Sequence, residues 1–322
     1  MYNNTVEYFY QVIVLMQIFN KFSDIKSFLK GRRTAIALGT FDGVHIGHQS
    51  IIGQAMTLAR SHGLLSVVFT FSNHPLSVVA PERVPVQIGD NISKAEFLKE
   101  MGVDLLLNVA FSEKLSKESP EAFLEKLKDS CNAKYVVTGP NFTFGYKGKG
   151  NTRMLSRVAG SYGFKAEIGE AVQLNGRMVS STRIRGLIEA GDLELTNEYL
   201  GRPFSFGGRV IHGDQRGRTI GFPTANLAIP DKRAMLPNGA YGVYVIIDGE
   251  QFKGIANVGN NPTFAGCNRR LEVHVLDFTG NLYNKPVTVQ FVKKLRDEKK
   301  FSGIEALVKQ LHADEEKARQ IL

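Results

Sequence analysis

Short apolar runs, each ending at a glycine or polar turn and followed by residues at helical spacing, fill the first two thirds of the chain. Ala35-Ile36-Ala37-Leu38 is apolar throughout and stops at Gly39, as a strand buried on both faces of a parallel sheet should. Gln49 to Arg60 then places Ile51, Ile52, Ala55, Leu58 and Ala59 at helical spacing, and Leu65 to Phe71 reads as a second buried strand. Strand, helix and strand make a parallel crossover, the opening of a doubly wound α/β domain. The pattern continues with a helix over Ile92 to Met101, a strand over Val103 to Leu107, and a helix over Glu121 to Ser130 opened by Pro120. Strands follow at Lys134 to Thr138 and Gly163 to Ile168, and Val179 to Arg185 opens a helix with Ser/Thr caps.

Gly191-Asp192 and Gly201-Arg202-Pro203 break the helices after that, and the texture changes to short alternating strands with turns. Candidate strands are Phe204 to Val210, Tyr241 to Ile247, Phe252 to Val258, Leu271 to Leu276 and Val287 to Phe291. Their frequency predicts a small antiparallel barrel. An amphipathic helix from about Gly303, with Ile304, Leu307, Val308 and Leu311 on one face, would pack over it. Two domains are therefore expected, over residues 16–200 and 201–322.

The 322 residues, 43% hydrophobic, suffice for two cores, and the net charge of +9 suits acidic ligands without choosing between nucleotides and nucleic acid. Even the densest basic run, Lys293 to Lys300, is interrupted by Asp297 and Glu298 and reads as a solvated helix end. Cys131 and Cys267 are far apart and fit no disulfide framework or thiolate zinc site, which suits a reducing cytoplasm. Phe9 to Phe19 is too short to span a bilayer, holds Gln11 and Gln17 and follows Glu7, so neither a membrane anchor nor an export signal is expected.

Candidate chemistry concentrates in Gly39-Thr40-Phe41-Asp42-Gly43-Val44-His45-Ile46-Gly47-His48, between the first strand and its helix. Free N–H groups at a helix N-terminus attract an anion, and Gly39, Gly43 and Gly47 would let the backbone approach it closely. His45 and His48 could bond phosphate oxygens and offset charge building in a transition state, although either taken singly suits a helix-end or packing residue better than a catalyst. The string resembles the H-x-G-H signature of the nucleotidyltransferase superfamily. In its extended form G-x-F-D-G-x-H-x-G-H-Q it resembles the prokaryotic bifunctional riboflavin kinase/FAD synthetase family.

Further matches follow in order. His74-Pro75 resembles the end of the family's F-x-P-H-P, with Asn73 where proline is common. Residue types alone leave a simple Asn-Pro turn open there. Asn141-Phe142-Thr143-Phe144-Gly145 is similar to the flavin-side G-x-D-F-x-F-G, with Asn141 in place of the usual Asp. Val179-Ser180-Ser181-Thr182-Arg183-Ile184-Arg185 resembles the superfamily's second signature, [IV]-S-S-T-x-I-R. The resemblance implies a Rossmann-like nucleotidyltransferase sheet in which Gly39, Phe41, Asp42, Gly43, His45, Gly47, His48, Ser181, Thr182 and Arg185 bind ATP. His74, Pro75, Asn141, Phe142, Phe144 and Gly145 would face FMN. Chains of this family usually open with a strand, which Met16 to Phe19 provides, so residues 1–15 are expected to be an upstream extension from start-site assignment.

In the second half, Gly208 to Asn226 is rich in glycine and polar residues, and no G-x-x-x-x-G-K-[ST] occurs anywhere in the chain. Thr224 and Asn226 alternate across Ala225 and would offer two hard oxygens on one side, a pair that also suits a plain turn. The whole string is similar to the riboflavin kinase signature G-x-V-x-x-G-x-x-x-G-R-x-x-G-x-P-T-A-N at every fixed position. Asn257 to Phe264, Glu272 with His274, Asp277-Phe278, Leu282-Tyr283, Leu295-Arg296 and Lys300-Phe301 continue the match.

By that resemblance, Gly213, Arg218, Gly221, Pro223, Thr224, Asn226 and Asn257 bind a second ATP, Thr224 and Asn226 hold Mg2+, and Glu272 is the general base. The implied partners are ATP, riboflavin and FMN, with no nucleic acid and no membrane, and the oligomeric state stays open. Two rival classes make different expectations. A tRNA-linked adenylating enzyme would need a basic, aromatic barrel face, and a flavin sensor would bind without turnover.

Overall fold

The computed structural model describes residues 16–213, 216–260 and 269–322. The expected upstream extension over residues 1–15 lies outside them, as do Asp214, Gln215, Cys267 and the part of the Asn257 to Phe264 match from residue 261 on.

Strands β1 (Gln17–Phe19), β2 (Thr34–Leu38), β3 (Leu65–Phe71), β4 (Leu105–Val109), β5 (Ala133–Thr138) and β6 (Lys165–Ile168) form one sheet in the order β1-β4-β3-β2-β5-β6, every pair parallel. All five residues of β2 are buried, which is why its apolar run does not alternate. Helix α1 (Phe22–Leu29), absent from the expected elements, follows β1. Helix α2 (Ile46–His62) crosses from β2 to β3 and begins inside the glycine-rich loop. The strand order reverses beside β2, so that loop lies at the topological switch point, where open α/β sheets collect ligands. Helices α3 (Asn91–Glu100), α4 (Pro120–Asp129) and α5 (Thr152–Val158) complete the layers.

Two capped helices, α6 (Ser181–Ala190) and α7 (Leu193–Leu200), lead into the barrel. Its strands are β7 (Phe204–Arg209), β8 (Ala225–Ile229), β9 (Gly239–Ile247), β10 (Glu250–Asn260), β11 (Arg269–Val275) and β12 (Pro286–Asp297). They pair antiparallel in the order β7-β12-β9-β10-β11-β8. Ile211, just past β7, donates its N–H to the Asn226 carbonyl of β8 at 2.8 Å, which draws the two edges together and nearly closes the ring. Helix α8 (Ile304–Ile321) covers one side, but not by the expected face: Ile304 is exposed, and the helix packs through Ala318, Ile321 and Leu322 near its C-terminal end.

The basic run from Lys293 is a correction. As far as Asp297 it is strand, not a helix end. Two register irregularities against β9 flip the strand's faces, so Leu295 packs with Ala240, Ile255, Leu276 and Ala318 beneath α8 while Lys293 stays exposed. A second finding concerns the junction. Ile184, Ile188, Leu193, Tyr199 and Leu200 share one apolar cluster with Phe204, Phe206, Val289 and Phe291, so α6 and α7 are packed into the barrel's core.

Candidate active sites

The loop after β2 is held in a conformation that ordinary residues resist. Phe41 and Val44 have φ of 47° and 38°, at a cost of roughly 1–3 kcal/mol each. Several contacts fix it there. The Phe41 ring lies so close over Gly39 that a Cβ on that residue would come within 2.7 Å of it. Arg202 donates to the carbonyls of Gly43 (2.8 Å) and Val44 (3.0 Å), and Gln49 donates to those of Val44 (2.9 Å) and Leu200 (2.7 Å). Burial pushes the Arg202 guanidinium down to about 10, still charged at neutral pH.

His45 is the N-cap of α2, and its Nδ1 accepts the His48 N–H at 3.3 Å. The two imidazoles stack with centroids 3.6 Å apart, and Phe41 meets His48 edge-on. Burial lowers His45 to about 4 against a partial counter-effect of Asp42. His48 is pushed well below the usual imidazole range by burial, then by His45, Lys94 and Arg202. Its Nδ1 is buried with no hydrogen-bond partner among the described residues, and neither imidazole lines the adjoining cleft.

Asp42 ties the loop to its surroundings. Its carboxylate accepts the N–H groups of Ile88 (3.0 Å) and Gly89 (3.2 Å) and pairs with Arg185 Nη2 at 2.7 Å. Arg185 also donates to the Val86 carbonyl, and Ser181 Oγ donates to the Asp42 carbonyl at 3.1 Å. The second signature thus meets the first through Asp42, with Ser180 capping α6 and Thr182 exposed.

Beside them lies a cleft of about 260 Å³ at the carboxyl ends of β2 and β3, lined by Thr40, Asp42, His74, Pro75, Asn91 and Lys94 among others. His74 accepts the Leu76 N–H at 3.1 Å, and burial lowers its pKa. Asn141 to Gly145 does not line this cleft. Phe142 and Phe144 stack on each other at 5.8 Å, Phe144 is 6% exposed against Phe123, and Gly145, at φ 72°, abuts the Pro120 backbone. Asn141 itself is exposed.

The barrel gathers the second set. Ala225 and Leu227, Leu271 and Val273, and Ala256 and Val258 point into its core. The residues between them, Asn226, Glu272 and Asn257, therefore share its outer face. They stand in register across β8, β11 and β10. Gly213, Arg218, Pro223, Thr224 and Asn226 line one small hollow with Tyr283. Gly213 lies against the Asn226 amide with no room for a Cβ, while Gly221, at φ 85°, has open space around it.

Arg270, only 4% exposed, donates from Nη1 to Asn226 Oδ1 (3.2 Å) and Glu272 Oε1 (3.3 Å) and so orients both. His274 bonds the Pro223 carbonyl at 2.8 Å. Among the described residues no three His, Cys, Asp or Glu side chains converge as a metal cage. A hydroxyl, an amide oxygen and a nearby carboxylate are hard donors that suit a magnesium ion bound chiefly through substrate phosphates.

Lys94, Arg202 and Arg270 had no sequence signal as site residues. Arg202 alone stood in a visible string, Gly201-Arg202-Pro203, legible only as a helix break.

The FAD synthetase family model matches residues 29–183 and the riboflavin kinase family model residues 200–322. A Bacillus subtilis protein named bifunctional riboflavin kinase/FMN adenylyltransferase is 35% identical over 291 residues, covering 89% of this chain and 92% of its own. A Pseudomonas fluorescens protein of the same name is 38% identical over 292 residues, covering 90% and 93%. A Streptococcus pneumoniae crystal structure described as a macrolide-efflux protein superposes with a TM-score of 0.81 at 33% identity, over 95% of this chain and 99% of that one. No helix among the described residues is long and apolar enough to cross a membrane. With both halves matched in order and relatives aligned over nearly its whole length, the chain belongs to the bifunctional riboflavin kinase/FMN adenylyltransferase family.

Proposed function

We propose that the two halves act in series on one flavin, with the boundary between them near residue 201. In the barrel, Glu272 takes the proton of the riboflavin ribityl 5′-hydroxyl as that oxygen attacks the γ-phosphorus of ATP, releasing ADP and forming FMN. Thr224 and Asn226 would hold Mg2+, which supplies charge neutralisation on the phosphates when bound. Gly213, Arg218, Gly221, Pro223 and Asn257 shape the nucleotide's seat, and Arg270 keeps Asn226 and Glu272 aimed at it.

In the N-terminal half an FMN phosphate oxygen attacks the α-phosphorus of a second ATP. Pyrophosphate leaves and FAD forms. The nucleophile is already ionised, so the protein's task is position and charge. The buried, neutral imidazoles of His45 and His48 donate N–H groups to the α-phosphate, while Gly39, Phe41, Asp42, Gly43 and Gly47 shape its cradle. Ser181, Thr182 and Arg185 bind the leaving group, which requires Arg185 to share itself between Asp42 and phosphate. His74 and Pro75 flank the flavin in the cleft, while Asn141, exposed outside it on a loop that Phe142, Phe144 and Gly145 hold against the core, meets only a part of the ligand that projects from it. Such chemistry on small molecules fits the cytoplasm and needs no nucleic acid or membrane.

One observation carries the reading: Asn226, Glu272 and Asn257, remote in sequence, stand in register on three neighbouring strands. Chromatography of riboflavin, ATP and Mg2+ with the protein tests it. Wild type should yield FMN and then FAD. Glu272→Gln should slow FMN formation by roughly 10²–10⁴-fold yet still convert supplied FMN to FAD. His48→Ala should accumulate FMN without FAD. Riboflavin bound but unchanged by the wild type would overturn the reading in favour of a sensor.

A further inference from the structure

The cleft beside β2 and β3 is not walled by the N-terminal half alone. Pro230, Lys232 and Arg233, from the turn after β8 in the kinase half, line it too. That turn is fixed in place by the loop on the other side of the boundary. Gln87 N–H donates to the Lys232 carbonyl at 2.7 Å, and Ala234 N–H donates back to the Gln87 carbonyl at 2.8 Å. The Arg233 side chain, 7% exposed, donates to the carbonyls of Gln87 (3.1 Å) and Ser205 (3.0 Å). Its neighbours in sequence thus anchor Lys232, whose side chain is left exposed at the mouth of the cleft.

The charge around that mouth is unbalanced. Asp42 is met by Arg185 and two backbone N–H groups, and Asp90 caps α3 through the Ser93 N–H with Arg233 at 3.9 Å. Lys94, from the opposite wall, reaches only the carbonyls of Thr40 (3.4 Å) and Phe71 (3.3 Å), and no ion pair is made by Lys94 or Lys232 with a described residue. Two ammonium groups therefore line one cleft from both sides of the domain boundary; Asp42 and Asp90 line it too and attract Lys94, but each carboxylate is already engaged elsewhere and neither forms an ion pair with Lys94 or Lys232.

We propose that Lys232 of the kinase half is a substrate-binding residue of the adenylyl-transfer cleft, where with Lys94 it pairs a phosphate group of the bound nucleotide. The adenylyltransferase site is thus composite, with one of its phosphate contacts supplied by the other domain. The inference rests on the adenylyl-transfer reading of the N-terminal half. FMN and ATP both carry the required phosphate, so the test varies them separately.

Steady-state FAD formation from supplied FMN and ATP is measured for Lys232→Ala, Lys232→Glu and Lys232→Arg, with riboflavin phosphorylation followed in the same preparations. The KM for one of the two substrates should rise about tenfold in Lys232→Ala and further in Lys232→Glu, with recovery in Lys232→Arg. A rise for FMN identifies the flavin phosphate as the group bound, and a rise for ATP the triphosphate. Unchanged KM for both, or parallel loss of kinase activity, overturns the proposal. Titration of wild type and Lys232→Glu with FMN and with a non-hydrolysable ATP analogue reads binding without turnover. A wild type that binds both but makes no FAD would therefore sink the functional reading and leave this inference to be judged by the difference in affinity.

Discussion

His45 and His48 stack at 3.6 Å in a buried loop, and two imidazolium ions at that distance would repel each other strongly. Burial therefore keeps both neutral, His45 down to about 4. In the unfolded chain an imidazole titrates near 6.5, so between that pH and about 4 the unfolded state binds the extra proton. The His45 contribution to stability is complete above pH 6.5 and is lost as pH falls through that window. His45→Asn keeps an N-cap acceptor but cannot titrate, and denaturation midpoints between pH 7 and 4.5 should fall less steeply for it than for the wild type. Equal slopes would mean that His45 takes up its proton over the same pH range in the folded and unfolded chains. Side chains of this kind were legible because the motifs carry them at fixed spacing. Arg202, Lys232 and Arg270 were not, because each acts on a residue or cavity that only tertiary packing brings near.

At the scale of an element, α2 begins where a strained loop ends. Arg202 and Gln49 hold that loop by the carbonyls of Gly43 and Val44, and Arg202 comes from beyond the last turn of α7. In Arg202→Ala the Gly43 and Val44 carbonyls each lose a bond that offsets the loop's left-handed conformation, leaving only the Gln49 bond to Val44. Adenylyl transfer should fall by roughly 10²-fold while riboflavin phosphorylation persists, because small misplacements at a reacting centre are costly. Arg202→Lys should recover only part of the loss, since an ammonium lacks the fork that spans two carbonyls. Retained FAD synthesis in Arg202→Ala would show that the loop keeps its shape unaided.

The elements themselves were mostly legible. The runs at β2, β3 and β5 gave strands because double burial leaves no polar alternation, and Pro120 opened its helix. The course of β12 was hidden, because bulges reverse which face carries the apolar residues and Lys293-Lys294 then looks like a helix surface. Helix α1 carries Phe22, Ile25, Phe28 and Leu29 at helical spacing but spans only two turns, and the five residues of strand β8 are too few for a periodic signal.

For the whole molecule, the decisive feature is the apolar cluster that runs from Ile184 and Leu200 into Phe206 and Phe291. Phe291 is fully buried against Phe204 and Tyr241, so Phe291→Ala should cost about 3–5 kcal/mol. Because the helices that carry Ser181 and Arg185 share that cluster, both activities should disappear together at one lowered temperature. An adenylyl-transfer activity that melts at its wild-type temperature would show two independent cores. The change in texture near residue 201 was legible, but glycine and proline punctuation carries no information about which side a helix pair packs against.

The order in which the chain is made gives the junction a further meaning. Every residue of the two nucleotidyltransferase signatures has been synthesised by Arg185, yet Arg202, which fixes their loop, and the turn at Lys232, which walls their cleft, come later. A nascent chain that has extruded only the first domain holds a site with a missing clamp and an open side. On that reading, maturation of the first half would wait on the start of the second, and FAD synthesis would begin only on chains already committed to the module that makes its substrate.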